Sequence, residues 1–200
     1  QWADDIAVFC NLLGIEAPVL FGQSFGGMVA MHYAAQHPSK LSKLILSSTA
    51  AQFRLDETVN MMRKLGGESA ADVARRFFSC PSEDVYKIYG EVCLPLYSNP
   101  DAPMAGSFRD RAIQRPEVAI HFFTDEMPQM DLRDEIADIV CPTLVIGGTV
   151  DPITPPVCSE AIASAIGDNA ILHMFERCGH GPHRDNPDGA EKVMRNFLNS

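Results

Sequence analysis

The chain has 200 residues, 46% of them hydrophobic and 21% charged, with 26 acidic against 16 basic side chains and a formal net charge of −10. Those proportions suit one globular domain, alone or with an insertion. The acidity speaks against a nucleic-acid reader, which needs a basic face, and no run of 18 apolar residues is present to cross a membrane.

In chain order, residues 4–13 place Ile6, Phe9, Cys10 and Leu13 at helical spacing, with Asp4 and Asp5 in the first turn and Gly14 at the end. Pro18-Val19-Leu20-Phe21 followed by Gly22 reads as a buried parallel strand. Residues 25–36 are again helical, stopped by Pro38, and Leu44-Ile45-Leu46 is a second buried strand. Strand, glycine turn, helix and strand in so short a span make a βαβ unit, so the class is α/β.

From Ala50 to about Cys141 strand signals nearly vanish. Helices are expected at 57–65, 70–78, 82–94 and around 118–123, separated by Pro81, Pro95, Pro100, Pro103, Pro116 and Pro128. The reading is a core of residues 1–49 and 142–200 with a helical insertion, 50–141, lying over it. The core resumes at Pro142-Thr143-Leu144-Val145-Ile146-Gly147, a third strand. A helix at 156–166, a fourth strand at 170–175 and a last helix at 187–198 complete it.

Gly22-Gln23-Ser24-Phe25-Gly26-Gly27 matches G-x-S-x-G between an expected strand and an expected helix. That context makes a nucleophile elbow: a sharp turn, tolerated because of its glycines, lifts a serine to the head of a helix. The backbone N–H of Phe25 then points to where an oxyanion would form. A serine needs a base and a group to orient that base. Asp151, in Gly147-Gly148-Thr149-Val150-Asp151-Pro152, follows the third strand at the functional edge of a parallel sheet. His180, flanked by Gly179 and Gly181, follows the fourth. The order serine, acid, histidine is the one this arrangement requires. His183 and Asp185 are the nearest competitors, and Asp185-Asn186-Pro187 also reads as the cap of the last helix.

Cys178, His180 and His183 form C-x-H-x-x-H, which lacks a fourth ligand for a structural zinc, so no metal and no cofactor are expected. The six cysteines, Cys10, Cys80, Cys93, Cys141, Cys158 and Cys178, include no C-x-x-C pair, which suggests reduced thiols and a cytoplasmic protein.

The stretches VLFGQSFGGMVAMHYAAQHPSKLSKLILSSTA, PTLVIGGTVDPITPP and ERCGHGPHRDNPD resemble the nucleophile, acid and histidine regions of prolyl aminopeptidases and related α/β-hydrolases. Residues 66–100 resemble the helical cap of that group. The resemblance implies an α/β-hydrolase fold and an acyl-enzyme route to ester or amide cleavage. It places Ser24, Asp151 and His180 on the triad, with a small molecule or short peptide as substrate. Esterases and enol-lactonases share the pattern, and a non-catalytic binding protein of the same fold is the alternative of a different class.

Aminopeptidases of this group resemble one another in holding the substrate amine with cap glutamates. Here Ala119 stands two residues before His121, where a glutamate would be, and Glu117 and Glu126 are the nearby carboxylates. The group also has four strands and an H-G-G-P-G-like loop, donor of a second oxyanion N–H, ahead of the first strand seen here. The resemblance therefore implies a partial chain. Val19 to Phe21 would be a bare apolar sheet edge, and the 200 residues alone are expected to be aggregation-prone and inactive.

Overall fold

A computed structural model describes residues 1–99, 113 and 115–200. The chain runs α1 (Trp2–Leu13), β1 (Val19–Gln23), α2 (Phe25–Gln36) and β2 (Lys43–Ser47). Then come α3 (Leu55–Ser79), α4 (Glu83–Val92) and α5 (Pro116–His121). It closes with β3 (Thr143–Gly148), α6 (Pro156–Ile166), β4 (Ala170–Phe175), α7 (Pro182–Asp185) and α8 (Pro187–Leu198). The four strands form one parallel sheet in the order β1-β2-β3-β4.

The sheet is covered on both faces, which is why its central strands read as continuous apolar runs. Successive side chains of β2 point oppositely. Leu44 and Leu46 join α1, α2 and α6 around Met31, Tyr33 and Ile162, while Ile45 joins Leu144, Ile146 and Phe197 under α8. A third cluster, centred on Phe77, Phe78 and Tyr89, belongs to the segment between β2 and β3. None of the described helices is long and apolar enough to span a bilayer.

Helix α1 buries only part of the apolar face that its spacing marks. Ala3 and Cys10 are buried and Ile6 and Ala7 pack beside them, whereas Phe9 and Leu13 are 59% and 60% exposed. The contact follows the stripe whose small side chains let α1 approach α2, and Phe9 and Leu13 fall on its flank. Strand β1 pairs with β2 alone among the described residues, and Val19 and Phe21 are each nearly half exposed.

The helices expected at 57–65 and 70–78 are the two arms of α3, separated by a kink at Gly67, whose backbone (φ 74°, ψ −170°) is not helical. Glycine adopts such a left-handed φ without the penalty of a Cβ. The helix expected around 118–123 is α5, which continues into a π-helical turn at Phe122–Glu126. Helix α7 carried no sequence signal. Pro100 and Pro103, expected as breaks, lie outside the described residues.

Candidate functional site

Ser24 sits where β1 turns into α2, with φ 51° and ψ −122°, a left-handed backbone that a non-glycine residue adopts at a cost. Its surroundings hold that turn in place. Ser24 N–H donates to the Ser47 carbonyl at 3.0 Å, and the Ser24 carbonyl accepts from Thr49 Oγ1 at 2.7 Å and Gly27 N–H at 2.9 Å. A Cβ on Gly22 would stand 2.5 Å from the Gly26 carbonyl oxygen, and one on Gly27 would stand 2.5 Å from the Thr49 side chain. Gly26 has open space around it. Close packing therefore demands glycine at 22 and 27, not at both motif positions 22 and 26.

Asp151 and His180 approach through a second tight glycine. Gly148, the last residue of β3, lies so near the Cys178 and Gly179 carbonyls that a Cβ would overlap them. Val150 N–H donates to the Cys178 carbonyl at 3.0 Å. This joins the loop after β3 to the loop after β4.

Asp151 is fully buried. Its Oδ1 accepts from the Ile153 and Thr154 N–H groups at 2.9 Å each, and its Oδ2 accepts from Thr154 Oγ1 at 2.8 Å. Both oxygens lie within 3.0 Å of His180 Nδ1. Burial pushes this carboxyl up, but the facing imidazole and these hydrogen bonds outweigh it and hold the group below the ordinary carboxylate value. His180 Nε2 is 2.9 Å from Ser24 Oγ. The three side chains singled out in the sequence thus form one hydrogen-bonded line from three loops.

The backbone of His180 is held as firmly. Its N–H donates to the Tyr97 carbonyl at 2.7 Å, its carbonyl accepts from Gln23 Nε2 at 3.2 Å and from Arg184, and the Tyr97 ring stands edge-on to the imidazole at 5.3 Å. Asp185 reinforces the same loop. Its Oδ2 accepts from Gly179 N–H at 2.7 Å and Asn99 N–H at 2.9 Å, tying the histidine loop to the helical segment a few residues past α4. Within the stretch Asp185-Asn186-Pro187 read as the cap of the last helix, the cap residue is Asn186, whose side chain accepts from Gly189 N–H, which leaves the Asp185 carboxylate for Gly179 and Asn99.

His183 lies beside Phe21 on β1, half buried, and burial followed by the Arg184 charge lowers its pKa. Both ring nitrogens of His180 are committed, to Asp151 and Ser24. Among the described residues no group of three His, Cys, Asp or Glu side chains could hold a metal.

A cavity of about 530 Å³ opens over Ser24 and His180, walled by Phe25 of α2, Thr154, and rings from the helical segment. Glu117 does not line it and lies 3.7 Å from Arg115 in an exposed ion pair. Glu126 borders a neighbouring cavity of about 390 Å³, with Asp125, 3.9 Å from His121 Nε2. The two cavities share Trp2, Phe25, Met28 and Phe122 as walls. Thr154 and Tyr97 escaped the sequence reading, and Asp185 entered it only as a competitor for the acid and as part of the cap of α8. Thr154 had a signal: in Asp151-Pro152-Ile153-Thr154 an aspartate followed by proline favours a turn in which its side chain takes the N–H groups two and three residues on. Tyr97 had none, and nothing local marked Asp185 as the tie between Gly179 and Asn99.

Residues 2–187 match a family described as alpha/beta hydrolase fold. A proline iminopeptidase, PfmaB, of Pestalotiopsis fici is 29% identical over 99% of this chain and 73% of its own length. A monoacylglycerol lipase, abhd6-A, of Xenopus laevis is also 29% identical, over 90% of this chain and 54% of its own. Among solved structures, the proline iminopeptidase of Mycobacterium smegmatis superposes with a TM-score of 0.71 at 21% identity, over 98% of this chain and 70% of that one.

Proposed function

Because the chain belongs to the alpha/beta hydrolase fold family, a family in which it resembles proline iminopeptidases and ester hydrolases alike, we propose that it is a serine hydrolase cleaving an ester or amide through an acyl-enzyme. The carrying observation is the unbroken line from Ser24 Oγ to His180 Nε2 at 2.9 Å and from His180 Nδ1 to Asp151 at 2.9 Å.

The chemistry follows from that line. With Nδ1–H donated to buried Asp151, the tautomer is fixed and Nε2 is left to accept the Ser24 proton. Ser24 Oγ attacks the carbonyl carbon as that proton leaves. Asp151, held ionised by its four hydrogen bonds, stabilises the imidazolium that results. The oxyanion falls at the head of α2. There the Gly27 and Met28 N–H groups turn back to the Ser24 carbonyl, and the oxyanion donor is taken to be the Phe25 N–H, in the residue that follows the nucleophile. The imidazolium then protonates the leaving oxygen or nitrogen, and water repeats the sequence to free the acid. Residues 50–141 act as a cap that walls the substrate chamber over a core of 1–49 and 142–200.

The likeness to PfmaB suggests a peptidase form of this reading, but that form would need the substrate amine to reach Glu126, which lies outside the chamber above Ser24, with Glu117 further out. The test is covalent labelling by a fluorophosphonate probe. Labelling of Ser24 in the protein, absent in Ser24→Ala at unchanged melting temperature, is the expected result. An unlabelled serine in folded protein would overturn the proposal.

A further inference from the structure

Resting on the hydrolase reading of Ser24, we infer that the chamber takes an uncharged, apolar acyl group of medium length or bearing an aromatic ring, and rejects acyl groups that carry a protonated amine. The cavity above Ser24 holds about 530 Å³, room for far more than an acetyl group. Its far wall is aromatic. Phe53, Phe78, Phe122 and Phe123 contribute rings from the segment between β2 and β3, and Ile153 closes the side next to Asp151. These rings are packed on one another, with Phe53 on Phe78 at 4.7 Å and Phe78 on Phe123 at 5.4 Å, so the wall is set before substrate arrives.

The charge pattern points the same way. No aspartate or glutamate is among the described residues lining this chamber, and its one arginine or lysine there is Arg115. A protonated amine moved from water into such a site loses hydration and gains no carboxylate. The carboxylates that could have received an amine, Asp125 and Glu126, border the neighbouring cavity and already face His121, at 2.7 and 3.9 Å. Apolar surface is what this chamber offers, and burial of each added methylene favours binding by about fourfold until the space is filled.

The test separates recognition from turnover. In Ser24→Ala protein, titration calorimetry compares octanamide with ω-amino-octanamide and acetamide. Octanamide is expected to bind at least tenfold more tightly than either. In the wild-type protein, p-nitrophenyl octanoate and p-nitrophenyl 3-phenylpropionate are expected to exceed the acetate in kcat/KM by on the order of 100-fold. Prolyl-β-naphthylamide is expected to give no cleavage. Ala119→Trp, which fills the chamber from α5, should lower the octanoate-to-acetate ratio. Equal binding of octanamide and its ω-amino analogue, or turnover of the prolyl substrate above the octanoate, would overturn the inference. If fluorophosphonate labelling fails while octanamide still binds selectively, the hydrolase reading falls and the chamber assignment stands.

Discussion

The four-stranded sheet and the helical segment between β2 and β3 bury different kinds of side chain. Around the sheet the core is mainly aliphatic, built from Leu44, Ile45, Leu46, Leu144, Val145 and Ile146 on parallel strands in fixed register, with Tyr33, Phe175 and Phe197 at its margins. Between β2 and β3 it is aromatic, with Phe77 stacked on Tyr89 at 4.1 Å and crossed by Phe78 and Phe123. The difference shows how position and capacity are separated. Backbone ladders place Ser24, Asp151 and His180 at the ends of β1, β3 and β4, where a shift of an ångström would break the line. The rings have no ladder. They set the size and polarity of a wall, and their replacement can reshape the cavity without moving the three loops.

The largest test of this contrast lies on the sheet side. Asp151→Asn should lower kcat by about 10⁴-fold, because the amide can present N–H to Nδ1 and favour the wrong tautomer. It should also flatten the acid limb of stability. Asp151 is held below the ordinary carboxylate value when folded, so its contribution is present above that value and fades as pH falls through the lowered one. Melting curves from pH 2 to 7 on both proteins measure this, and an unchanged kcat would break the comparison.

Phe77→Ala tests the helical side. Phe77 is buried among four aromatic partners, and its loss should cost about 3–5 kcal/mol. Hydrogen exchange should show protection lost in α3 and α4 first, with β2 and β3 still protected. Uniform loss would mean that the two regions fold as one cooperative unit.

Asp185 joins them. As a positioning residue it fixes Gly179 and Asn99 together, so Asp185→Ala should lower kcat by roughly 10- to 100-fold per active site titrated with fluorophosphonate, with KM little changed. Asp185→Asn keeps a carbonyl oxygen to accept both N–H groups and should restore most of the rate. Loss of folded protein without loss of kcat per site would reduce Asp185 to a structural tie.

The smallest effects come from the elbow glycines. Gly22→Ala places a methyl against the Gly26 carbonyl and should destabilise by about 1–3 kcal/mol. Gly26→Ala meets open space within α2 and should stabilise by about 0.5–1 kcal/mol in thermal melts. Equal effects would show that the motif is constrained at both glycines for a reason other than packing.

Much of this was legible in the residues. The helix at Pro156–Ile166, the strand at Ala170–Phe175 and the helix at Pro187–Leu198 stand where periodicity and proline placed them. Local sequence is enough there because each element has its own start signal and its own apolar rhythm. The face of α1 was not legible, since apolar spacing marks Phe9 and Leu13 as strongly as Ala3 and Cys10, and the choice depends on how near α2 can come. Nor was the role of Asp185, which stands beside the cap residue Asn186 in sequence but ties to Asn99, 86 positions away.

By itself the sequence determined the alternation of strands and helices, the strained serine turn and the order of serine, acid and histidine, because these depend on neighbours along the chain. Only the tertiary structure decided that Ser24 and His180, 156 residues apart, stand within hydrogen-bonding distance. It also decided that Thr154 and Asp185 hold the loops in place, and that Glu117 and Glu126 fall outside the chamber above the serine. Those outcomes follow from the register of parallel strands and the packing of rings across them, and no local pattern encodes a distance between segments that only the folded sheet brings together.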